Sequence, residues 1–247
     1  MTRGAFSFAA QVAGRYRSGR AFLVGDAAQR MTPRGGMGMN TAVAEANNLA
    51  WKLAWVHKGW AGSALLDTYE AEWRPVGSRR AARSAEEDAT PDGAEALADD
   101  LNGRLRHAWL PGPGLPGPGF PLSNGRPRST LDLLGPGLTL LSGPDGRPWT
   151  TAAASLATPF PLAVRTLDPS TATTLGIEPD GAILVRPDAQ VVAWWPTAPG
   201  DPAGQLWSWA RTFSAWPSAL TLCQARSTRP SSSRRKVERR TPTEVRP

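Results

Sequence analysis

Cysteine and histidine are nearly missing from this sequence, and their scarcity removes whole classes of chemistry. The 247 residues include one cysteine, Cys223, and two histidines, His57 and His107. A single thiol forms no internal disulfide, no CxxC redox pair and no thiolate metal cage, and it suits a reducing, cytoplasmic setting. Two histidines argue against a histidine-built metal centre, so no metal is expected. Long apolar runs are missing too. Residues 6–13 form a short run broken by Gln11, so neither a membrane span nor a secretion signal is expected.

What is present is ordinary in bulk and uneven in distribution. Hydrophobic residues make up 40% of the chain, enough to build a core for one large domain or two small ones. The net charge is +7, but residues 226–247 hold eight Lys or Arg against Glu238 and Glu244, so six of those charges sit in the last stretch. Its only large aliphatic residues are Val237 and Val245. Such a segment cannot bury enough surface to offset chain entropy, so a disordered basic tail is favoured over a nucleic-acid-binding arm.

The most informative stretch is residues 20–40. The apolar run 21–24 ends at Gly25 and reads as a covered strand. Asp26 stands where that strand meets a loop. Pro33 and Arg34 follow, then Gly35, Gly36 and Gly38, which let backbone approach a flat or anionic ligand closely. A helix is expected directly afterwards, capped by Asn40 or Thr41. Its first amides, near residues 39–42, lack intrahelical partners and would stabilise negative charge on a ligand.

The order Arg20-Ala21-Phe22-Leu23-Val24-Gly25-Asp26-Ala27-Ala28, the Pro33 loop, Leu49-Ala50-Trp51-Lys52-Leu53 and Tyr69-Glu70-Ala71-Glu72 resembles the second flavin-binding motif of the FAD-dependent aromatic-ring monooxygenases. That family is built on the para-hydroxybenzoate hydroxylase fold. The resemblance implies FAD as cofactor, NAD(P)H as reductant, molecular oxygen, and an aromatic small-molecule substrate. It assigns Asp26 to the ribityl chain and Pro33 to placing the isoalloxazine ring, and it counts Gly25 among the cofactor-binding residues. Gly35, Gly36, Met37, Gly38, Met39 and Asn40 fall to the pyrimidine edge, where donors at a helix start stabilise charge on reduced flavin. Gln29 stands where the family usually has histidine, and Glu45 where it has aspartate. No residue qualifies as a catalytic acid or base.

The resemblance also implies a long preceding region with a GxGxxG for the pyrophosphate. The one string of that pattern, Gly112-Pro113-Gly114-Leu115-Pro116-Gly117, follows no strand and carries prolines that remove amide donors, so it reads as a stiff linker. A complementing N-terminal half or a homo-oligomer is therefore an expected partner.

Further along, the first helix should reach Lys58 and stop at Gly59, with Ala42, Ala46, Leu49, Leu53 and Val56 as its core face. Trp51, Trp55 and Trp60 suit core packing better than cofactor stacking. A second helix near Ser63 should bury Leu66, Tyr69 and Trp73, kink at Pro75 and continue as a solvated connector. Residues 88–93 should break it, before a short helix over 94–100. Strands are expected at 138–141, 162–166, 182–186 and 191–195, a helix at 149–156, and turns at Asp180-Gly181 and Pro187-Asp188.

Ser129-Thr130-Leu131-Asp132-Leu133-Leu134-Gly135 and Leu184-Val185-Arg186-Pro187-Asp188 are similar to strings of the thioredoxin-like C-terminal domain of polyketide and phenol hydroxylases. The fold class is thus α/β (α+β). The expected domains are 1–110, the C-terminal part of a flavin-binding domain; 111–128, a Pro/Gly linker; 129–216, thioredoxin-like; and 217–247, the basic tail. The competing reading is a non-catalytic oligomerisation module with a vestigial flavin motif.

Overall fold

The computed structural model describes residues 8–86, 122–123, 126–127 and 129–215. The helix expected over 94–100, the proline-glycine string, Cys223 and the basic tail lie outside the described residues.

The N-terminal half is two long helices carrying short ladders. Strand β1 (Gln11–Val12) pairs antiparallel with β4 (Gln29–Arg30), and β2 (Arg17–Ser18) with β3 (Ala21–Phe22). The expected covered strand over 21–24 is thus only two residues long, and Leu23 is 37% exposed. A ladder this short has no neighbouring sheet to bury both faces of an apolar run.

Helix α1 (Met37–His57) begins earlier than expected, with Gly36 as N-cap at φ 61°. The left-handed conformation at Gly36 costs nothing without a Cβ, so the chain enters the helix there rather than at Asn40 or Thr41. The buried face also differs from the expected one. It is lined by Thr41, Glu45, Asn48, Leu49, Trp51, Lys52 and Trp55, while Leu53 is 41% exposed.

A 3-10 turn over Ser63–Leu66 leads into α2 (Asp67–Ala85), which buries Tyr69 and Trp73 as expected. Pro75 lies inside α2 without ending it. Both Pro75 and Ala71, whose carbonyl loses its amide donor, face outward, where water can serve that carbonyl. The segment beyond Pro75 is more than a solvated connector, since Gly77, Ala81 and Ser84 are buried.

A two-strand ladder, β5 (Leu122–Ser123) with β6 (Arg126–Pro127), falls in the linker stretch. The C-terminal half opens with Ser129 and Asp132 closing a capping box around the turn Thr130–Leu133. It then runs β7 (Leu138–Ser142), α3 (Arg147–Ala154), β8 (Leu162–Thr166), α4 (Pro169–Leu175), β9 (Ala182–Val185), β10 (Val191–Trp195) and α5 (Pro202–Ala215). The sheet order is β10-β9-β7-β8, with only the β7–β8 pair parallel. This is the expected small mixed sheet, with the hairpin at Pro187-Asp188.

Helix α4 was not anticipated, although Asp168 caps it, Pro169 opens it and Gly176 closes it at φ 73°, which is a legible start and stop. Helix α5 adds Leu206, Ala210 and Phe213 to the core.

The main core crosses between the halves. Trp51, Trp55 and Leu65 join Leu138, Leu140, Trp149, Phe160 and Phe213 in one cluster. Trp55 stacks on Phe160 with centroids 4.8 Å apart and donates its indole N–H to Pro136 O at 2.7 Å. The C-terminal turns of α1 are therefore seated in the sheet domain, and its N-terminal turn carries the glycine loop.

Candidate functional site

Two backbone loops converge at the start of α1. The first is a 3-10 turn over Gly25–Ala27, with Asp26 exposed at its crest and Gly25 buried at φ 61°. A Cβ on Gly25 would lie 3.3 Å from Ala42 Cβ, so glycine allows both the positive φ and close seating on α1. The second loop runs from Thr32 to Gly36, where Pro33 is exposed and precedes the 3-10 turn Arg34–Gly36.

The α1 N-terminus has no side-chain cap and no acidic residue in its first turn. Its first amides, at Met37, Gly38 and Met39, thus have no partner within α1 and lie at the positive end of the helix dipole. A Cβ added at Gly36 or Gly38 would meet nothing within 4 Å. The loop therefore presents open backbone surface to a flat group, which fits an isoalloxazine edge. A groove of 430 Å³ is lined by residues 11–13 and 26–30, Asp26 among them. The larger concavity, 570 Å³ beside Arg17, Glu70 and Arg74, includes none of the nominated residues.

Both loops are held from beneath by the two helices. Glu45 of α1 accepts the Gly25 N–H at 2.7 Å and the Gln29 amide at 3.4 Å. Tyr69 of α2 donates to Leu23 O at 2.6 Å. Ser84 Oγ accepts the Thr32 N–H at 3.1 Å, while Thr32 Oγ1 donates to Ser84 O and Arg34 donates to Glu86 O at 3.2 Å. Arg80 donates to Thr41 Oγ1 at 2.6 Å, tying α2 to the first turns of α1. A Cβ on Gly77 would lie 1.8 Å from Gln29 Oε1, so α2 approaches this polar layer as closely as a glycine permits.

Tyr16, Gln29, Glu45 and Tyr69 are buried in this layer, and its titratable groups are shifted accordingly. Burial raises the Glu45 carboxyl above the usual carboxylate range, partly offset by the Gly25 N–H and the Tyr69 hydroxyl. Burial, then the Glu45 charge, pushes Tyr16 up to about 12. The same two causes raise Tyr69. Tyr16 donates its hydroxyl to Gln29 Oε1 at 3.2 Å, so the amide at Gln29 both accepts and donates where a neutral imidazole could also do both.

Sequence reasoning placed every nominated loop residue at this convergence but missed the supports beneath it, namely Glu45, Tyr69, Arg80 and Ser84. A signal existed for Glu45. A carboxylate inside a helix three residues before Asn48 and seven before Lys52 marks a polar stripe at helical spacing.

Comparison with known proteins gives the family. Residues 2–84 match the family model described as an FAD binding domain, and residues 110–217 match the aromatic-ring hydroxylase C-terminal model. Tetracenomycin A2 monooxygenase-dioxygenase of Streptomyces glaucescens is 38% identical over 231 residues, covering 77% of this chain and 41% of that protein. Aklavinone 12-hydroxylase of Streptomyces purpurascens is 38% identical, covering 76% and 42%. A ternary complex of aklavinone-11 hydroxylase with FAD and aklavinone superposes with a TM-score of 0.62 at 34% identity, covering 83% of this chain and 45% of that one. A flavin-dependent monooxygenase in complex with FAD and substrate gives 0.59 at 29% identity, covering 84% and 50%.

The chain spans two fifths to half the length of these relatives. Among the described residues no helix is long and apolar enough to cross a membrane. Over both matched stretches, the chain belongs to the FAD-dependent aromatic-ring monooxygenases of the para-hydroxybenzoate hydroxylase fold.

Proposed function

We propose that this chain supplies the ring and ribityl end of the FAD site of an aromatic-compound monooxygenase that uses NAD(P)H and oxygen. The observation that carries the reading is an exposed carboxylate, Asp26, beside an uncapped helix start free of acidic side chains. In this reading Asp26, on the turn begun by Gly25, accepts hydrogen bonds from the ribityl hydroxyls. Pro33 offers a rigid apolar surface against the ring. The backbone of Gly35, Gly36, Met37, Gly38, Met39 and Asn40 faces the pyrimidine edge. Bound FAD supplies the redox chemistry with oxygen. The protein's part is fixed donors that need no reorganisation as negative charge gathers.

The remaining part of the site comes from a partner segment. Met39 is 75% exposed, Val43 65% and Leu53 41%, and they share one side of α1 at spacings of four and ten residues. Relatives are more than twice as long as the portion matched here, and this apolar side suits the sheet-bearing N-terminal portion that such proteins carry. That portion holds the pyrophosphate. Losing several charge-assisted hydrogen bonds, each worth about 1.5–3 kcal/mol, should weaken FAD binding by orders of magnitude.

The isolated chain is expected to purify nearly colourless and without NAD(P)H oxidation. Co-expression with an N-terminal portion of such a monooxygenase containing GxGxxG should restore bound flavin, and Asp26→Ala should abolish the gain. Stoichiometric yellow FAD on the chain alone would overturn the shared-site reading. Equal restoration with Asp26→Ala would overturn the ribityl role.

A further inference from the structure

Beyond the shared apolar core, the sheet domain reaches α1 and α2 with charged side chains from the β9–β10 turn. Arg186 N–H bonds to Gln190 O at 2.9 Å and Ala189 N–H to Arg186 O at 3.0 Å. The turn is closed by Ala189 at φ 64°, the one non-glycine residue with positive φ among the described residues. This strained turn sends both Arg186 and Asp188 toward α1 and α2, where they are 7% and 2% exposed.

There they complete a four-charge network with no net charge. Arg186 donates to Glu72 through two nitrogens at 3.0 and 2.9 Å, and to Asp188 at 3.0 and 2.6 Å. Asn48 donates to Glu72 at 2.9 Å and to Asp188 at 2.7 Å. Lys52 Nζ lies 3.1 Å from Glu72 Oε1, and the Arg186 guanidinium sits 5.1 Å over the Trp51 ring.

Buried ion networks of this kind add little net stability compared with apolar packing, because desolvation offsets attraction. Their forked geometry fixes relative orientation instead. The anchored residues, Asn48 and Lys52, stand on the same face of α1 as Glu45 and Thr41. Glu45 in turn holds the Gly25 turn. Asn48 and Lys52 lie roughly 16 and 22 Å along α1 from Met37, at 1.5 Å per residue, and a helix transmits a rotation over that distance almost rigidly.

We infer that Arg186 and Asp188 are positioning residues for the flavin loops, setting the rotation of α1 so that Glu45 meets Gly25. This gives a sheet domain with no redox pair a role in the site. Its functional meaning rests on the flavin reading above, but its test does not.

The test is native-state hydrogen exchange on the chain without flavin. An apolar clasp, Lys52→Met, Glu72→Met, Arg186→Met and Asp188→Leu together, keeps the halves docked but removes the fork. We expect its β7 and β9 amides to exchange as in the parent. The Gly25 and Ala28 amides should exchange about tenfold faster, since the Gly25 N–H donates to Glu45 and the Ala28 N–H to Gly25 O within the turn that this contact holds. Unchanged exchange at Gly25 and Ala28 in the folded variant overturns the inference.

Should the apolar clasp not fold, Arg186→Lys decides. It keeps the charge and loses the fork, so Gly25 and Ala28 should still exchange several-fold faster, by about threefold or more. No acceleration in Arg186→Lys overturns the inference as well. Because no flavin is present, these outcomes leave the FAD-site reading standing or falling on its own complementation test.

Discussion

The two halves of this chain are held together by different physics. In the sheet domain every residue of β7 and β9 is buried, and the strands pair over four or five residues. In the flavin-site half the strands pair over two residues, the apolar cluster is small, and single side chains reach distant backbone. Glu45 to Gly25, Tyr69 to Leu23 and Ser84 to Thr32 each span more than fifteen residues. A packed sheet stabilises itself. Loops hung on helices are only as well placed as the helices beneath them, which is why a binding surface can be built there and why it depends on its supports.

The sharpest way to break this contrast is to delete one large ring from each side. Trp149 is fully buried, donates to Asp180 O at 2.8 Å and lies 4.7 Å from the Trp195 ring. Trp149→Ala should cost about 3–5 kcal/mol in denaturant unfolding. Phe22, half-buried on its two-residue strand, should cost only about 1 kcal/mol on Phe22→Ala. Equal losses would mean that the small cluster of Tyr16, Leu49, Tyr69 and Trp73, against which Phe22 packs, is as tightly built as the sheet core.

A smaller effect comes from pH, and its sign follows from Lys52. Burial lowers this lysine to about 8, against the opposing pull of Glu72. Between about 8 and its ordinary value of 10.5 the unfolded chain therefore binds more protons, and stability rises with pH. Tyr16 works the other way, since its rise from 10.0 to about 12 keeps the folded chain protonated while the unfolded chain ionises. Stability should climb from pH 8 to about 10 and then turn down. Thermal melts that fall steadily from pH 8 upward would show that Lys52 is not seated as described. Lys52→Met should flatten the rise.

The smallest expected change concerns the turn that joins the halves. Ala189 occupies positive φ, where an L-residue with a Cβ is strained by about 1–2 kcal/mol and glycine is not. Ala189→Gly should raise stability by about 0.5 kcal/mol after the entropy that glycine adds to the unfolded chain. Chemical denaturation resolves a gain of that size, and a loss would mean that the Ala189 methyl makes a compensating contact.

Legibility in the sequence followed the same division. The sheet strands, their hairpin and the loop residues of the site could be read because they depend on local pattern: apolar runs, turn residues, glycines in order. The polar part of the buried face of α1 could not, although Leu49, Trp51 and Trp55 are buried as expected. Periodicity pointed to Ala42, Ala46, Leu49, Leu53 and Val56, whereas Thr41, Glu45, Asn48 and Lys52 face inward. They do so because what they meet is polar: the Gly25 amide, Glu72 and Asp188. The Asn48–Asp188 contact joins residues 140 positions apart, and no one-dimensional pattern carries that pairing. Helix α4 was missed for a weaker reason, since the Asp-Pro start and Gly176 stop were present but the segment is only seven residues.

The central claim is the proposal that residues 8–86 of this chain hold the ring and ribityl end of FAD and not its adenine and pyrophosphate end. Equilibrium titration of the isolated chain with riboflavin and with FAD, followed by flavin fluorescence, tests it most directly. The account predicts weak binding of both ligands with dissociation constants within about threefold, less than 1 kcal/mol apart, and loss of both with Asp26→Ala. Binding of FAD about a hundredfold tighter than riboflavin would contradict it, because the chain would then hold the pyrophosphate end as well.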